Sequence, residues 1–276
     1  MRRMTLYILL GIIISITIAG IAFLHQPSFG RLPKGERLER IKRSPNYREG
    51  EFRNIDTTIL MTSHKSRLSG IWSFLFRKVE GLRPDEPIPA IKTALRKIPL
   101  EENALVWFGH SSYLLQVDEK RILVDPVFCM ASPVSFVNKP FRGTEIYSPD
   151  DMPDIDYLVL WASFLLETPD RKIFIGGDGG YGSHLKQIGE QFPDIDLAIL
   201  ENGQYNEDWK YIHTMPSLLE QTIKDLGVHR VLTVHHSKYA LARHRWDEPL
   251  KNARNLSRND SLTILMPVIG EVVNLF

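Results

Sequence analysis

The stretch Asp156-Tyr157-Leu158-Val159-Leu160-Trp161-Ala162-Ser163-Phe164 decides the fold, because two predicted strands meet in it. The runs 156–160 and 161–166 are both apolar and of strand length. They abut, with no further segment between them. The function that can be predicted therefore depends on which segment, if any, normally stands between two such strands.

Strand signals continue on both sides of the junction. Upstream, a plausible hairpin turn at 118–120 joins two of the predicted strands, and residues 127–148 are predicted to form a long loop. Clustered strands followed by alternating strands and helices are typical of a layered α/β domain. The other predicted strands are 104–108, 113–117, 121–125, 172–176, 197–200, 230–234 and 261–266, and the helices are 183–191 and 216–226.

An uncharged run, Met4–Leu24, stands near the N-terminus and is long enough to cross a bilayer as a helix. A cleaved signal peptide is the alternative, with Gly20-Ile21-Ala22 as its cleavage site. The run exceeds the usual apolar length of a signal peptide, which favours a single-pass anchor. Arg2 and Arg3 favour a cytoplasmic N-terminus, but six basic residues between 31 and 43 oppose it, so the side stays open.

The sequence predicts three parts: an anchor over 1–25, a lead-in segment over 26–102 and a folded domain over 103–276. Within the lead-in, Glu36–Lys42 is predicted to form a short helix. Ser69–Val79 has helical spacing and a large apolar face, which would pack on the domain or touch lipid.

Composition argues against three features: a nucleic-acid partner, a disulfide framework and a zinc site built on cysteines. The chain is 43% hydrophobic and 24% charged with a net charge of +1, which argues against a nucleic-acid partner. The lone cysteine, Cys129, excludes an internal disulfide framework and a cysteine-based zinc cluster.

Polar residues follow two of the predicted strands. Asp178 ends one of them in a glycine-rich turn, and His235 ends another. Because ligand sites of α/β sheets gather beyond the carboxyl ends of strands, both side chains are candidates for a site. His213 precedes a helix predicted at Pro216, where the helix dipole favours a neutral imidazole. Each residue alone could equally be structural, and it is their combination that indicates function.

Several motifs resemble bacterial metallo-β-lactamase-fold hydrolases of the N-acyl-phosphatidylethanolamine phospholipase D branch. The resemblance extends from about Phe29 to Pro249 and implies an αββα sandwich. Its motifs are Phe108-Gly109-His110-Ser111-Ser112, Leu123-Val124-Asp125-Pro126, Gly177-Asp178-x-Gly180-Tyr181-Gly182, Val234-His235 and Trp246-Asp247-Glu248-Pro249.

The resemblance also implies roles for these residues. Asp178 matches an aspartate that bridges two zinc ions, and His235 matches the last histidine ligand. His213 matches a catalytic histidine that contacts the substrate phosphate or assists the leaving group. His110 and Asp125 match residues that orient the ligands. His184 is often present in bacterial relatives but has no assigned role, and His236 is not assigned as a ligand.

One departure from the family is decisive. The family carries His-x-His-x-Asp-His after the strand that matches 155–160, yet no His-x-His occurs in the 276 residues. The sequence therefore predicts a sandwich with an internal deletion near 160/161, incomplete in its first half, with weak or partial zinc binding. It predicts a protein of the bacterial inner membrane, contacting membrane lipid, whose phospholipid or other phosphodiester hydrolysis is impaired. The alternative is a non-catalytic remnant with a binding role.

Overall fold

The computed structural model describes residues 2–54, 59–63, 66, 72, 78–132, 137–160 and 162–276. The chain divides into two compact units, residues 1–58 and 59–276. The first unit contains helix α1 (Arg2–Leu24), helix α2 (Gly35–Lys42) and a hairpin of strands β1 (Tyr47–Arg48) and β2 (Glu51–Phe52). The short helix predicted in the lead-in is thereby confirmed.

Helix α1 is long and apolar enough to span a membrane over Met4–Leu24, and the side chains of that span are exposed in the structure. A signal sequence near an N-terminus has the same length and composition. The structure therefore supports an apolar N-terminal helix and leaves both alternatives open.

The second unit contains two five-stranded sheets. The first has the order β12-β3-β4-β5-β6 and is antiparallel except where β6 joins β5. The second has the order β11-β10-β9-β8-β7 and is parallel except at β7. The strands are β3 (Ala104–Trp107), β4 (Tyr113–Val117), β5 (Lys120–Val124), β6 (Tyr157–Val159), β7 (Phe164–Glu167), β8 (Lys172–Ile175), β9 (Leu197–Glu201), β10 (Arg230–Val234), β11 (Thr263–Leu265) and β12 (Val272–Asn274).

The two sheets pack face to face around one apolar core, to which residues such as Leu115 and Leu232 contribute from opposite sides. Three helices, α3 (Ser183–Gln191), α4 (Pro216–Leu226) and α5 (Glu248–Leu256), contribute apolar side chains to a second cluster on the outer face of the second sheet. The outer face of the first sheet packs instead on irregular and 3₁₀ segments around Leu95, Ile98, Tyr147 and Met152. Within the described part of the second unit, the helices thus cover one side of the sandwich.

The junction at 160/161 carries the chain from one sheet to the other. Strand β6 ends at Val159 as the last strand of the first sheet, and β7 begins at Phe164 as the last strand of the second. The predicted pair of strands is confirmed, although β7 begins three residues later than expected. Four large apolar side chains at these edges are solvent-exposed: Tyr157, Leu158, Leu160 and Phe164.

Other predictions can be compared with the structure directly. Helices α3 and α4 have the predicted bounds. Helix α5 and strand β12 were not predicted, because α5 is short and largely polar and β12 is only three residues long. The helix predicted over Ser69–Val79 lies almost wholly outside the described residues.

Candidate metal centre

Three parallel strands of the second sheet deliver polar side chains to one edge. Strand β9 lies between β8 and β10, so the strands that lead to Asp178 and His235 are not neighbours in the sheet. The side chain at the end of β9 is Glu201. Because the carboxyl ends of parallel strands lie at the same end of a sheet, Asp178, Glu201 and His235 all lie at that end.

Asp178 and His235 are in direct contact. Nε2 of His235 lies 3.0 Å from Oδ1 of Asp178, with the imidazole buried and the carboxylate 44% exposed. Burial lowers the pKa of His235, but its hydrogen bond to Asp178 and the charge of Glu201 outweigh this and raise the pKa. Burial raises the pKa of Asp178, whereas His235 and His213 lower it, and the net direction is down. The pair therefore favours the charged form of both groups when no metal is bound.

Glu201 is buried and has well-defined partners. Its Oε1 accepts a hydrogen bond from the backbone N–H of Gln204 at 3.1 Å, and its Oε2 accepts one from that of Thr214 at 2.9 Å. The same Oε2 lies 3.1 Å from Nδ1 of His213. The Glu201 carboxylate thus holds the loop that carries His213 against the end of β9.

The glycine-rich turn allows this loop to approach. A Cβ atom at Gly180 would lie 2.5 Å from the carbonyl oxygen of Tyr211 and 3.1 Å from the backbone nitrogen of His213. Only glycine leaves room for such backbone contact. The turn after Asp178 is therefore shaped to bring His213, two residues before the N-cap of α4, to the strand ends.

Three candidate residues have left-handed backbone conformations, with φ of 56° at His110, 40° at Asp125 and 70° at His235. Non-glycine residues seldom adopt this region, and such strain concentrates at functional sites. Backbone hydrogen bonds hold two of them together, since the N–H of His235 donates to the carbonyl of His110 at 3.0 Å. The N–H of His110 donates in turn to the carbonyl of His236 at 2.9 Å.

His110 lies beside His235, with ring centroids 5.0 Å apart. Burial and the neighbouring His235 hold the pKa of His110 well below its usual range, so the ring is neutral. His236 is also buried, but its ring nitrogens contact Thr233 and Ser237 rather than the strand-end carboxylates. His236 therefore belongs to neither group of candidate ligand atoms described below.

Two groups of side chains have ligand atoms within 4.8 Å of one another, and His235 belongs to both. One group consists of Asp125, Asp178 and His235, and the other of Glu201, His213 and His235. Nδ1 of His213 and Nδ1 of His235 are buried without a properly aligned hydrogen-bond partner among the described residues. Imidazole nitrogen and carboxylate oxygen are zinc ligands, so both groups fit a divalent metal.

The structure brings further candidate ligands beside the two predicted ones. The sequence offered only Asp178 and His235 as direct ligands, whereas Asp125 and His213 lie equally close in space. Glu201 was missed altogether, although Leu197-Ala198-Ile199-Leu200-Glu201 repeats the design of an apolar strand that ends in a polar residue. His184 lines a small cavity that reaches Glu201 but belongs to neither group.

The chain is similar to several known proteins. Residues 158–236 match the β-lactamase superfamily domain. An uncharacterized protein of Mycobacterium tuberculosis is 26% identical over 316 residues, covering 84% of this chain and 85% of the relative. Outer membrane protein RomA of Klebsiella pneumoniae is 57% identical over 76 residues, covering 28% of this chain and 58% of RomA, less than two thirds of its length.

Solved structures are similar at lower identity. An isothiocyanate hydrolase from Delia radicum gut bacteria is 13% identical with a TM-score of 0.46, covering 62% of this chain and 98% of that one. The metallo-β-lactamase fold protein YhfI of Bacillus subtilis is 13% identical with a TM-score of 0.37, covering 62% and 98%. The matched domain and the two packed sheets agree that this chain has a mixed α/β, metallo-β-lactamase-like fold, with an N-terminal apolar helix as a candidate membrane span.

Proposed function

We propose that this chain is a membrane-anchored, zinc-dependent hydrolase of the kind that cleaves phosphodiesters, and that its hydrolysis of them is impaired. The observation that carries the proposal is the convergence of Asp178, Glu201 and His235 at the ends of three parallel strands, with His213 beside them. A divalent metal at this edge would polarise a phosphoryl oxygen and lower the pKa of water.

The protein residues have distinct tasks in this proposal. Asp178 is the exposed member of the set and faces the space from which a substrate would enter. His235 is buried against it, and His110 supports His235 through backbone hydrogen bonds and ring contact. His213 is partly exposed at the loop before α4, where it would meet a phosphate or a leaving group.

Impairment is supported by the junction after β6. The family motif His-x-His-x-Asp-His is absent, and the chain passes from one sheet to the other between Val159, the end of β6, and Phe164, the start of β7. The alignment with the mycobacterial protein extends over 316 residues, more than the 276 of this chain, so the relative has positions without a counterpart here. The exposed apolar side chains at β6 and β7 are those that missing neighbouring elements would cover.

The same facts favour a second candidate, a non-catalytic remnant that keeps a binding role. A complete pair of metals clamps both the attacking and the leaving oxygen, whereas the two candidate groups of this chain share His235 and so do not supply ligands for two ions at once. The surviving side chains would still bind one ion and contact a lipid phosphate. The inner membrane is the proposed location for either candidate, because α1 is suited to an uncleaved anchor.

Metal analysis and turnover on the full-length protein in detergent test the proposal. We expect detectable zinc, at no more than one ion per chain, and no hydrolysis of bis(4-nitrophenyl) phosphate above background. His235→Ala should remove the bound zinc, while His229→Ala, at an exposed histidine outside the site, should not. Two tightly held ions per chain, or turnover that disappears in His235→Ala, would contradict the impairment. Absence of any bound metal would contradict the proposal as a whole.

A further inference from the structure

We infer that Glu201, His213 and His235 form a mononuclear zinc site that is distinct in composition from the Asp125, Asp178 and His235 group. The inference takes from the proposed function only that the chain binds a divalent metal, and it makes His213 a ligand of that metal in place of the phosphate-contacting role proposed above. It makes Glu201, the last residue of β9, a ligand of that metal, although Glu201 belongs to none of the sequence motifs quoted above.

Distances support this ligand set. Zinc binds imidazole nitrogen and carboxylate oxygen at about 2.0–2.2 Å in tetrahedral sites, which places ligand atoms roughly 3.3–3.6 Å apart. Oε2 of Glu201 and Nδ1 of His213 lie 3.1 Å apart, and a ligand atom of His235 lies within 4.8 Å of both. The Glu201–His213 spacing is thus close to that of two ligands of one ion, and His235 lies within reach of both.

The orientation of the imidazoles supports it further. Nδ1 of His213 lies close to Glu201 yet lacks the alignment of a hydrogen bond, and Nδ1 of His235 is buried without a partner among the described residues. His235 is buried, with 4% of its surface exposed, so an unpaired nitrogen there costs free energy. A metal ion held beside Glu201 would satisfy Nδ1 of His213, which a purely structural role for Glu201 leaves unexplained.

Glu201 retains free acceptor capacity for an ion. A carboxylate offers about four lone-pair sites, and the N–H groups of Gln204 and Thr214 occupy two of them. These two bonds fix the carboxylate in place, as hydrogen bonds to metal-ligating carboxylates commonly do. Three protein ligands are the number that catalytic zinc sites use, with a further position left for water or substrate.

Zinc titration of the full-length, metal-depleted protein tests the inference, with affinity measured by competition against a chromophoric chelator. We expect one zinc per chain in the wild type and an affinity loss above about 100-fold in Glu201→Gln, because loss of an outer partner alone costs about 10–100-fold. Asp178→Asn should cost less than Glu201→Gln. His184→Gln, at a nearby histidine in neither group, should leave the affinity unchanged.

His213→Gln guards against misfolding of the Glu201 variant, since its ring carries no backbone amide contact in the structure. Its zinc affinity should fall with that of Glu201→Gln, and the visible absorption of the cobalt(II)-substituted protein should change in both variants. Binding that depends on Asp178 but stays within tenfold of wild type in Glu201→Gln and His213→Gln would overturn this site and leave the proposed function standing. Absence of zinc binding in the wild type would overturn both.

Discussion

His235 and Asp178 meet across an intervening strand, with Nε2 and Oδ1 3.0 Å apart although β9 separates β8 from β10. The turn after β8 makes this contact, because the chain runs past the strand end before Asp178. Gly177 has a φ of +58°, and a Cβ there would lie 2.6 Å from the carbonyl oxygen of Ala162. A tight glycine turn beneath β7 therefore directs Asp178 over the end of β9.

Asp178→Asn should lower the pKa of His235 in the metal-free protein. Burial already opposes the imidazolium form, and the hydrogen bond to Asp178 is the largest influence that raises the pKa. Histidine NMR titrations in the two proteins would measure the change. Asp170→Asn, at an exposed carboxylate outside the site, should leave the pKa of His235 where it is in the wild type. An unchanged or higher pKa of His235 in Asp178→Asn would mean that the contact with Asp178 does not stabilise the imidazolium form of His235.

The local parts of this site were predictable from the sequence. An apolar strand followed by Asp178 or His235 is a short-range pattern, and the structure places both residues at one edge. The strand order was not predictable, because the pairing of β9 between β8 and β10 depends on contacts distant in sequence. Glu201 was missed for a related reason. A glutamate just after an apolar run has the same pattern as a solvated strand end, and its burial appears only when the sheets pack.

The chain should remain in the membrane fraction after a carbonate wash. Met4–Leu24 has no charged residue and is long enough to cross the hydrocarbon core as a helix. Cell fractionation followed by N-terminal sequencing of the recovered protein would measure this. A soluble product whose N-terminus begins near Phe23 would identify the segment as a cleaved signal. Recovery of the intact N-terminus in the membrane would support the anchor.

The bare edge of β6 should promote self-association, and Leu158→Lys should reduce it. Leu158 is 59% exposed on a strand that, in the part of the chain that the structure describes, pairs on one side only, and lysine on an edge strand discourages further pairing. Light scattering of the full-length protein in detergent would show less aggregation, with the melting temperature nearly unchanged.

Val159→Lys is the matched comparison on the same strand. Val159 packs against the core between the sheets, so a lysine there should lower the melting temperature and increase aggregation. A wild-type protein that melts in one sharp transition at an ordinary mesophile temperature without aggregating would contradict the view that this edge has lost its neighbours.

Lys238 should make the free energy of unfolding rise with pH between about 8 and 10. Burial lowers the pKa of Lys238 to about 8, against 10.5 for an ordinary lysine. In that window the unfolded chain binds more protons, so stability increases with pH, by about 2–3 kcal/mol. Above about pH 10 the trend should reverse, because burial raises the pKa of Tyr113, Tyr205 and Tyr239.

Urea unfolding followed by tryptophan fluorescence at several pH values would measure this profile. Lys238→Met should abolish the rise, although it leaves the carbonyl groups of Phe108 and Val127 without the ammonium that they bind. Lys224→Met, at an exposed lysine, should retain the rise. A wild-type stability that stays flat from pH 8 to 10 would show that Lys238 keeps an ordinary pKa.

Gly203→Ala should weaken zinc binding more than its loss of stability alone would explain. The Cβ atom would overlap the carbonyl oxygen of His235 and lie 2.6 Å from its carbonyl carbon, so the end of β10 must move. Overpacking of this kind costs about 1–3 kcal/mol.

Gly227→Ala is a matched control, because its φ of +66° makes alanine cost about 1–2 kcal/mol while the space around it is open. Both variants should lose similar melting temperature, but only Gly203→Ala should lose zinc affinity, by more than about tenfold, since the displaced backbone carries His235 with it. Equal zinc affinity in the two variants would show that the metal does not depend on the position of His235.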